Sequence, residues 1–169
     1  MKKPLISLLS LALSAHLGAA AFTPGNVTVL RVGSGTGALS NACTALFVEE
    51  FTPSGAAVQS IALPTATAGA RICLSGTATS EGLMTRTVDN SALLVAGYDA
   101  VLGSAGVSTA AAVNRVVAII NADGTVTISS GFIDGYLTNN VRGVAGQTVD
   151  QFYLSGTGST ASGDRKSVV

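Results

Sequence analysis

The sequence predicts an all-β protein, with four-stranded antiparallel blades of an incomplete β-propeller and a β-solenoid as the alternative winding. The first observation is an internal echo. Phe47–Gly55 (FVEEFTPSG) is answered by Val116–Gly124 (VVAIINADG). Thr87-Val88-Asp89 ahead of Leu94–Gly97 is answered by Thr148-Val149-Asp150 ahead of Tyr153–Gly156. The copies stand 69 residues apart at Gly55/Gly124 and 61 apart at Asp89/Asp150, a period that marks a repeat architecture. The second observation is that the apolar runs lack a polar face. Val116, Ala118 and Ile120 alternate with Val117 and Ile119, and Leu93 and Val95 with Leu94 and Ala96. Strands of that kind belong to a sheet covered on both sides. The third is a composition heavy in Ala, Gly, Thr, Ser and Val with no Trp, which suits short strands and tight turns.

In chain order, Val27–Val32 is the first strand. Leu46–Phe51 and Ala57–Leu63 flank Thr52-Pro53-Ser54-Gly55. Pro53 presets φ there and Gly55 accepts a left-handed conformation, so the pair is a hairpin. Leu83–Val88 and Ala92–Tyr98 flank Asp89-Asn90. Arg115–Ile120 and Val126–Ser130 flank Asn121-Ala122-Asp123-Gly124, and Val141–Gln147 and Phe152–Gly156 flank Asp150. Each repeat then holds four strands as two hairpins. Residues 22–158 make about two blades, with Val27–Val32 a stray strand beside them. Segments 64–71, 99–113 and 132–140 read as loops. The hairpin turns argue against a solenoid, whose coils are parallel.

The ends read differently from the body. Residues 1–21 have the pattern of a signal peptide: Lys2 and Lys3, an apolar Leu5–Leu13, then Ala19-Ala20-Ala21, with cleavage expected between Ala21 and Phe22. The apolar stretch is short of the roughly 20 residues a membrane span needs, and no transmembrane segment follows it. A secreted or cell-surface location is expected. Residues 159–169 read as a disordered tail. Asp164–Val169 also matches one frame of a common sequencing adapter (GATCGGAAGAGCGTCGTG), and on that reading, set against an ordinary polar tail, the chain is expected to be the amino-terminal fragment of a longer protein.

Composition excludes several function classes. Residues 22–163 hold eight acids and five bases, all Arg, a balance too mild for a nucleic-acid partner. The only histidine, His16, lies in the signal, so the mature part has no Ser-His-Asp triad and no His metal ligand. Cys43 and Cys73 are an even pair in an exported chain. They read either as a disulfide or as two small buried thiols.

A family resemblance is carried by Gly25–Gly33 (GNVTVLRVG), Ala38–Asn41 (ALSN), Val48–Gly55 (VEEFTPSG), Ser75–Gly82 (SGTATSEG) and Leu94–Asp99 (LVAGYD). These stretches resemble secreted bacterial β-propeller-type repeat proteins of unknown function, some with carboxy-terminal surface-sorting signals. The resemblance spans most of residues 22–158. It implies the fold and export, and it brings no catalytic residues.

The remaining candidates read mainly as structure. Glu49 and Glu50 are adjacent on a strand, face opposite sides and cannot form a catalytic couple. Asp89 and Asp150 recur before strands, where an Asx hydrogen bond that closes the turn is favoured over a calcium ligand. Asp99 and Asp134, the latter beside Tyr136, are loop carboxylates that a hard cation could use. Gly33-Ser34-Gly35-Thr36-Gly37 lacks the Lys of a phosphate loop. Asn26-Val27-Thr28 is a formal glycosylation sequon. Arg31, Arg71, Arg86, Arg115 and Arg142 are scattered and form no basic patch. The expected function is therefore an exported surface or secreted repeat scaffold, a binding or structural protein with glycans or cell-surface macromolecules as candidate partners, and no catalytic, metal or cofactor site is expected in this fragment. The alternative is the amino-terminal part of a phytase- or lactonase-like propeller hydrolase.

Overall fold

The computed structural model describes residues 19–131, 136–158 and 165–168. Most of the expected signal segment, residues 1–18, lies outside them. The described chain is all-β and every strand pair is antiparallel. The strands are β1 Val27–Val32, β2 Cys43–Thr44, β3 Leu46–Phe51, β4 Ala57–Ala62, β5 Leu74–Ser75 and β6 Met84–Arg86. They continue with β7 Ala92–Tyr98, β8 Arg115–Asn121, β9 Val126–Ile128, β10 Val141–Thr148, β11 Gln151–Gly156 and β12 Arg165–Val168. They form sheets in the orders β1-β3-β4, β2-β5, β6-β7-β8-β9 and β10-β11-β12. The antiparallel pairing removes the basis for a solenoid.

The two central hairpins close alike. Gly55 donates to Thr52 O and Thr52 N to Ala56 O; Gly124 donates to Asn121 O and Asn121 N to Thr125 O. Gly55 and Gly124 both sit at positive φ, 88° and 85°, which a side chain would oppose. The echo in the sequence is thus an echo of turns, but the strands are not partitioned as expected. Among the described residues the one four-stranded sheet joins β6–β7 from the first repeat to β8–β9 from the second. The reason lies in β7 and β8. Both are apolar on both faces, and they pair over seven residues from Ala92↔Asn121 to Tyr98↔Arg115, so each covers the other's edge. Val27–Val32 is no stray strand, since it pairs with β3 over six residues. Of the segment expected to be a disordered tail, residues 165–168 form β12 along β11, while 159–164 and 169 lie outside the described residues.

Burial follows the strand period. In β3, Leu46, Val48 and Glu50 are buried while Phe47, Glu49 and Phe51 are half-exposed. In β8, Arg115 to Ile120 are buried without alternation, as a doubly covered strand requires. β10 packs across β7 because Gly146 leaves room. A Cβ there would stand 2.7 Å from Leu94 Cδ1.

Candidate functional site

The site is a cleft of about 300 Å³ between an amino-terminal strap, residues 22–26, and the β6–β7 hairpin. The strap is shaped by Thr23-Pro24-Gly25-Asn26. Pro24 fixes φ at the first central position and Gly25 takes φ 90° at the second, a type II turn, closed by Asn26 N donating to Thr23 O at 3.1 Å. Phe22 donates its N–H to Ala122 O at 2.9 Å and packs against the core. The strap therefore bridges the β8–β9 turn and the start of β1.

Glu50 anchors it from beneath. Its side chain is fully buried. Oε1 accepts from Thr23 N (2.8 Å) and Asn26 Nδ2 (2.7 Å), and Oε2 from Gln59 Nε2 (2.7 Å). No Arg or Lys pairs with it among the described residues. Burial pushes the carboxyl pKa up, but the donors from Gln59, Thr23 and Asn26 overrule it and hold the group below its ordinary value. Stability from this carboxylate is therefore present above the unfolded carboxyl pKa and lost as pH falls through the lower folded one. Urea denaturation should show the midpoint dropping below about pH 4.5, the ordinary Glu range. Glu50→Gln should flatten that acid limb; an unchanged limb would remove Glu50 as its source.

The cleft floor is apolar, with Phe22, Leu93 and Ile120. Its rim carries Arg86, Asn90 and Ser91. Asn90 sits at φ 62° in a turn that Asp89 closes by accepting from Ser91 N (3.1 Å) and Oγ (2.8 Å). Arg86 is exposed and makes no ion pair among the described residues. The described ion pairs are Arg31–Glu49 and Arg71–Asp99, both 2.6 Å.

The other candidates separate. Cys43 and Cys73 are joined in a disulfide with Cα atoms 5.4 Å apart, which ties β2 to the segment bridged to Tyr98. Ala21 is exposed and Phe22 half-buried. Glu49 and Glu50 face opposite sides as expected, but the partner of Arg31 is the half-exposed Glu49. Asp99 is consumed by Arg71 Nε and Gly69 N. The Asp89 turn is matched by Asp123, which accepts from Thr125 N (2.9 Å) and Oγ1 (2.6 Å), and not by Asp150, whose own N–H donates to Thr148 Oγ1. Hydrogen bonds, first from Thr87 and from Thr125 respectively, lower the Asp89 and Asp123 pKa values. Asn26 spends its amide on Glu50. Tyr136 is buried and donates to Leu154 O at 2.7 Å, and Asp134 lies outside the described residues. Among the described residues no three His, Cys, Asp or Glu side chains gather as metal ligands.

Two features escape sequence reading. Glu50 looks like a surface residue beside Glu49, and only the period-2 burial of Leu46 and Val48 hints otherwise. Arg115 is the second: it begins a doubly apolar strand and is fully buried. Comparison with protein-family models, curated proteins and solved structures gives no match for this chain.

Proposed function

We propose that the protein is an exported, non-enzymatic repeat scaffold that binds acidic glycans in the cleft beneath its amino-terminal strap. The observation that carries this reading is Arg86. An exposed guanidinium without a carboxylate partner among the described residues stands at the rim of a cleft whose floor is apolar and whose remaining rim offers an amide and a hydroxyl. Phe22 and Leu93 suit the C–H face of a sugar ring, and Arg86 suits a uronate carboxylate, which it can hold through two N–H groups. The volume is at the small end of ligand sites, about 300–1,000 Å³, so a short stretch of glycan is the fitting occupant.

Export is supported by the disulfide, which persists in oxidising compartments, together with the signal pattern of residues 1–21. The propeller-type reading is supported by β6-β7-β8-β9, a sequential four-stranded meander whose central strands β7 and β8 are apolar on both faces. On this reading it is one blade, shifted by a hairpin from the repeat boundary in the sequence, in keeping with the resemblance to secreted bacterial propeller-type proteins.

Calorimetric titration of the exported protein with a uronic-acid oligosaccharide and its carboxyl-reduced counterpart tests the reading. The acidic form should bind, weakening as salt rises, and Arg86→Ala should weaken it at least tenfold. Equal binding of the reduced sugar, or no effect of the substitution, would overturn it.

A further inference from the structure

Glu50 is a buried carboxylate whose three donors are all neutral, and the cleft chemistry does not use it. It lies under the place where the chain changes character. Ala19, Ala20 and Ala21 are exposed, whereas Phe22 is half-buried. From there the backbone donors turn inward. Phe22 N–H reaches Ala122 O at 2.9 Å, and the next amide, Thr23 N–H, reaches Glu50 Oε1 at 2.8 Å. Gln59 holds both sides of this boundary. Its Nε2 donates to Glu50 Oε2 (2.7 Å) and to Ala20 O (3.0 Å), and its Oε1 accepts from Ala20 N (3.1 Å).

We propose that cleavage of the Ala21–Phe22 bond makes an α-ammonium at Phe22 that docks on the Ala122 carbonyl with Glu50 as its counter-ion, so that the processed amino terminus locks the strap. The inference rests on the export reading. The step is a hydrolysis by a signal-peptidase-type endoprotease. Water's hydroxyl goes to the Ala21 carbonyl carbon, the C–N bond breaks, and Phe22 nitrogen takes the remaining proton and a second from solvent. Ala20 departs with the leader. Gln59 loses the Ala20 contacts and keeps its bond to Glu50, while the nitrogen that offered one hydrogen to Ala122 O now carries three. The carboxylate then has a cation one residue from a donor it already holds.

Three charged groups bear on the ammonium. Glu50 on β3 is buried and attractive. Arg86 on β6 lines the same cleft and is repulsive, but it is exposed and screened. Asp123, in the β8–β9 turn next to Ala122, is attractive and is already occupied by Thr125. The buried charge dominates, so the amine pKa rises above its ordinary value of about 8. A folded pKa above the unfolded one gives stability that is present below the unfolded value and lost as pH rises through the folded one.

The full 169-residue precursor should be expressed in an exporting host and the secreted product examined by intact mass and by NMR of its reductively methylated amines. The mature chain should begin at Phe22, with the α-amine titrating about one unit above the ordinary value, and Glu50→Gln should return it to the ordinary range. Should Glu50→Gln fail to fold, selective acetylation of the Phe22 amine in the wild-type protein gives the second measurement, an expected fall in the thermal midpoint at pH 7 that vanishes above pH 10. A precursor that stays uncleaved inside the host would overturn the export reading and this inference together, and a secreted product that keeps Ala19 and Ala20 would overturn this inference alone. A product that begins at Phe22 with an ordinary amine pKa, or an acetylated form as stable as the free one, would overturn the counter-ion alone.

Discussion

Arg115→Met should cost about 3–5 kcal/mol of folding stability, a large part of the roughly 5–15 kcal/mol a domain of this kind possesses. Arg115 is fully buried, and its guanidinium works on backbone. Nη1 donates to Val113 O (2.6 Å) and Ala110 O (3.3 Å), and Nη2 to Ser108 O (2.8 Å) and Asn139 O (2.9 Å). Three of those carbonyls belong to the connection between β7 and β8, and the fourth to the turn leading into β10. One side chain thus closes two loops. The planar fork matters, because a Lys ammonium in the same space has three hydrogens and no fixed spread. Methionine fills the volume but leaves four carbonyls without their donor, each worth about 1–3 kcal/mol when buried. Relaxation of the loops toward water keeps the total below the sum. Urea unfolding measures the loss, with Arg115→Lys intermediate; a Met variant within 1 kcal/mol of wild type, itself about the net worth of a single hydrogen bond, would mean the loops hold themselves.

The neighbourhood of Arg115 explains how a charge is tolerated there. Burial lowers its pKa, and the electrostatic influence of the Tyr98 hydroxyl and the Glu81 carboxylate pushes it back. Its guanidinium lies 5.2 Å from the Tyr98 ring centroid. Tyr98 Oη donates to Glu81 Oε1 at 2.6 Å and accepts from Val141 N at 3.2 Å, and Asn140 Nδ2 reaches the same Glu81 oxygen at 2.5 Å. Burial first, and Glu81 second, push the Tyr98 pKa far up. Glu81 and Tyr98 are therefore a structural clamp between the 76–83 loop, the end of β7 and the start of β10. They hold the Tyr98–Arg115 end of the β7–β8 pair, while the strap meets the β8–β9 turn at its other end through Ala122.

How much of this was legible in the sequence depends on the range of the interaction. Strands and turns are local, and the Pro53–Gly55 and Asp123–Gly124 signals placed both central hairpins. Double-sided apolar runs marked β7 and β8 as covered on both faces. Partners at long range were not legible. The repeat suggested that each copy folds on itself, yet β7 pairs across the copy boundary because β8 offers it a longer apolar edge than β4 does. Ala57–Ala62 is mostly exposed, with Ile61 its one buried apolar residue. The two-residue strands β2 and β5 carry no periodicity at all, and they exist because a disulfide and loop contacts hold them. The cleft is a product of the strap's path. Arg86 and Asn90 share one hairpin, but Phe22 is more than 60 residues away in the chain, and nothing in the spacing brings the strap to that hairpin. Asp89 was paired with Asp150 by sequence context, Thr-Val-Asp in both. Its geometric equivalent is Asp123, since Ser91 and Thr125 each place a hydroxyl two residues after the carboxylate.

Replacing both Cys43 and Cys73 with Ala should lower stability by about 3–4 kcal/mol, the chain-entropy value for a loop of roughly 30 residues. The sequence separation is 30, and both residues are buried, at 3% and 0% exposure. Alanine is the better replacement, because serine hydroxyls would enter an apolar setting beside Leu46, Leu63 and Ile72. The loss should also be uneven. β2 and β5 share only two register pairs, Cys43↔Ser75 and Thr44↔Leu74, too few to hold without the bridge. The 99–104 connection leans on the same place, through Cys43 N to Ser104 O and Gly103 N to Cys43 O, both 2.9 Å. Hydrogen exchange should therefore accelerate first at residues 43, 73–76 and 103–104, while β7 and β8, paired over seven residues, keep protection up to global unfolding. Reduction of the wild-type protein should give the same pattern, slowly, because the bridge is exposed to reductant only when that region opens. Uniform loss of protection would show that the disulfide supports the whole β-fold instead, and an unchanged urea midpoint would show that β2 and β5 are held by packing against Tyr98 and Ile72 alone.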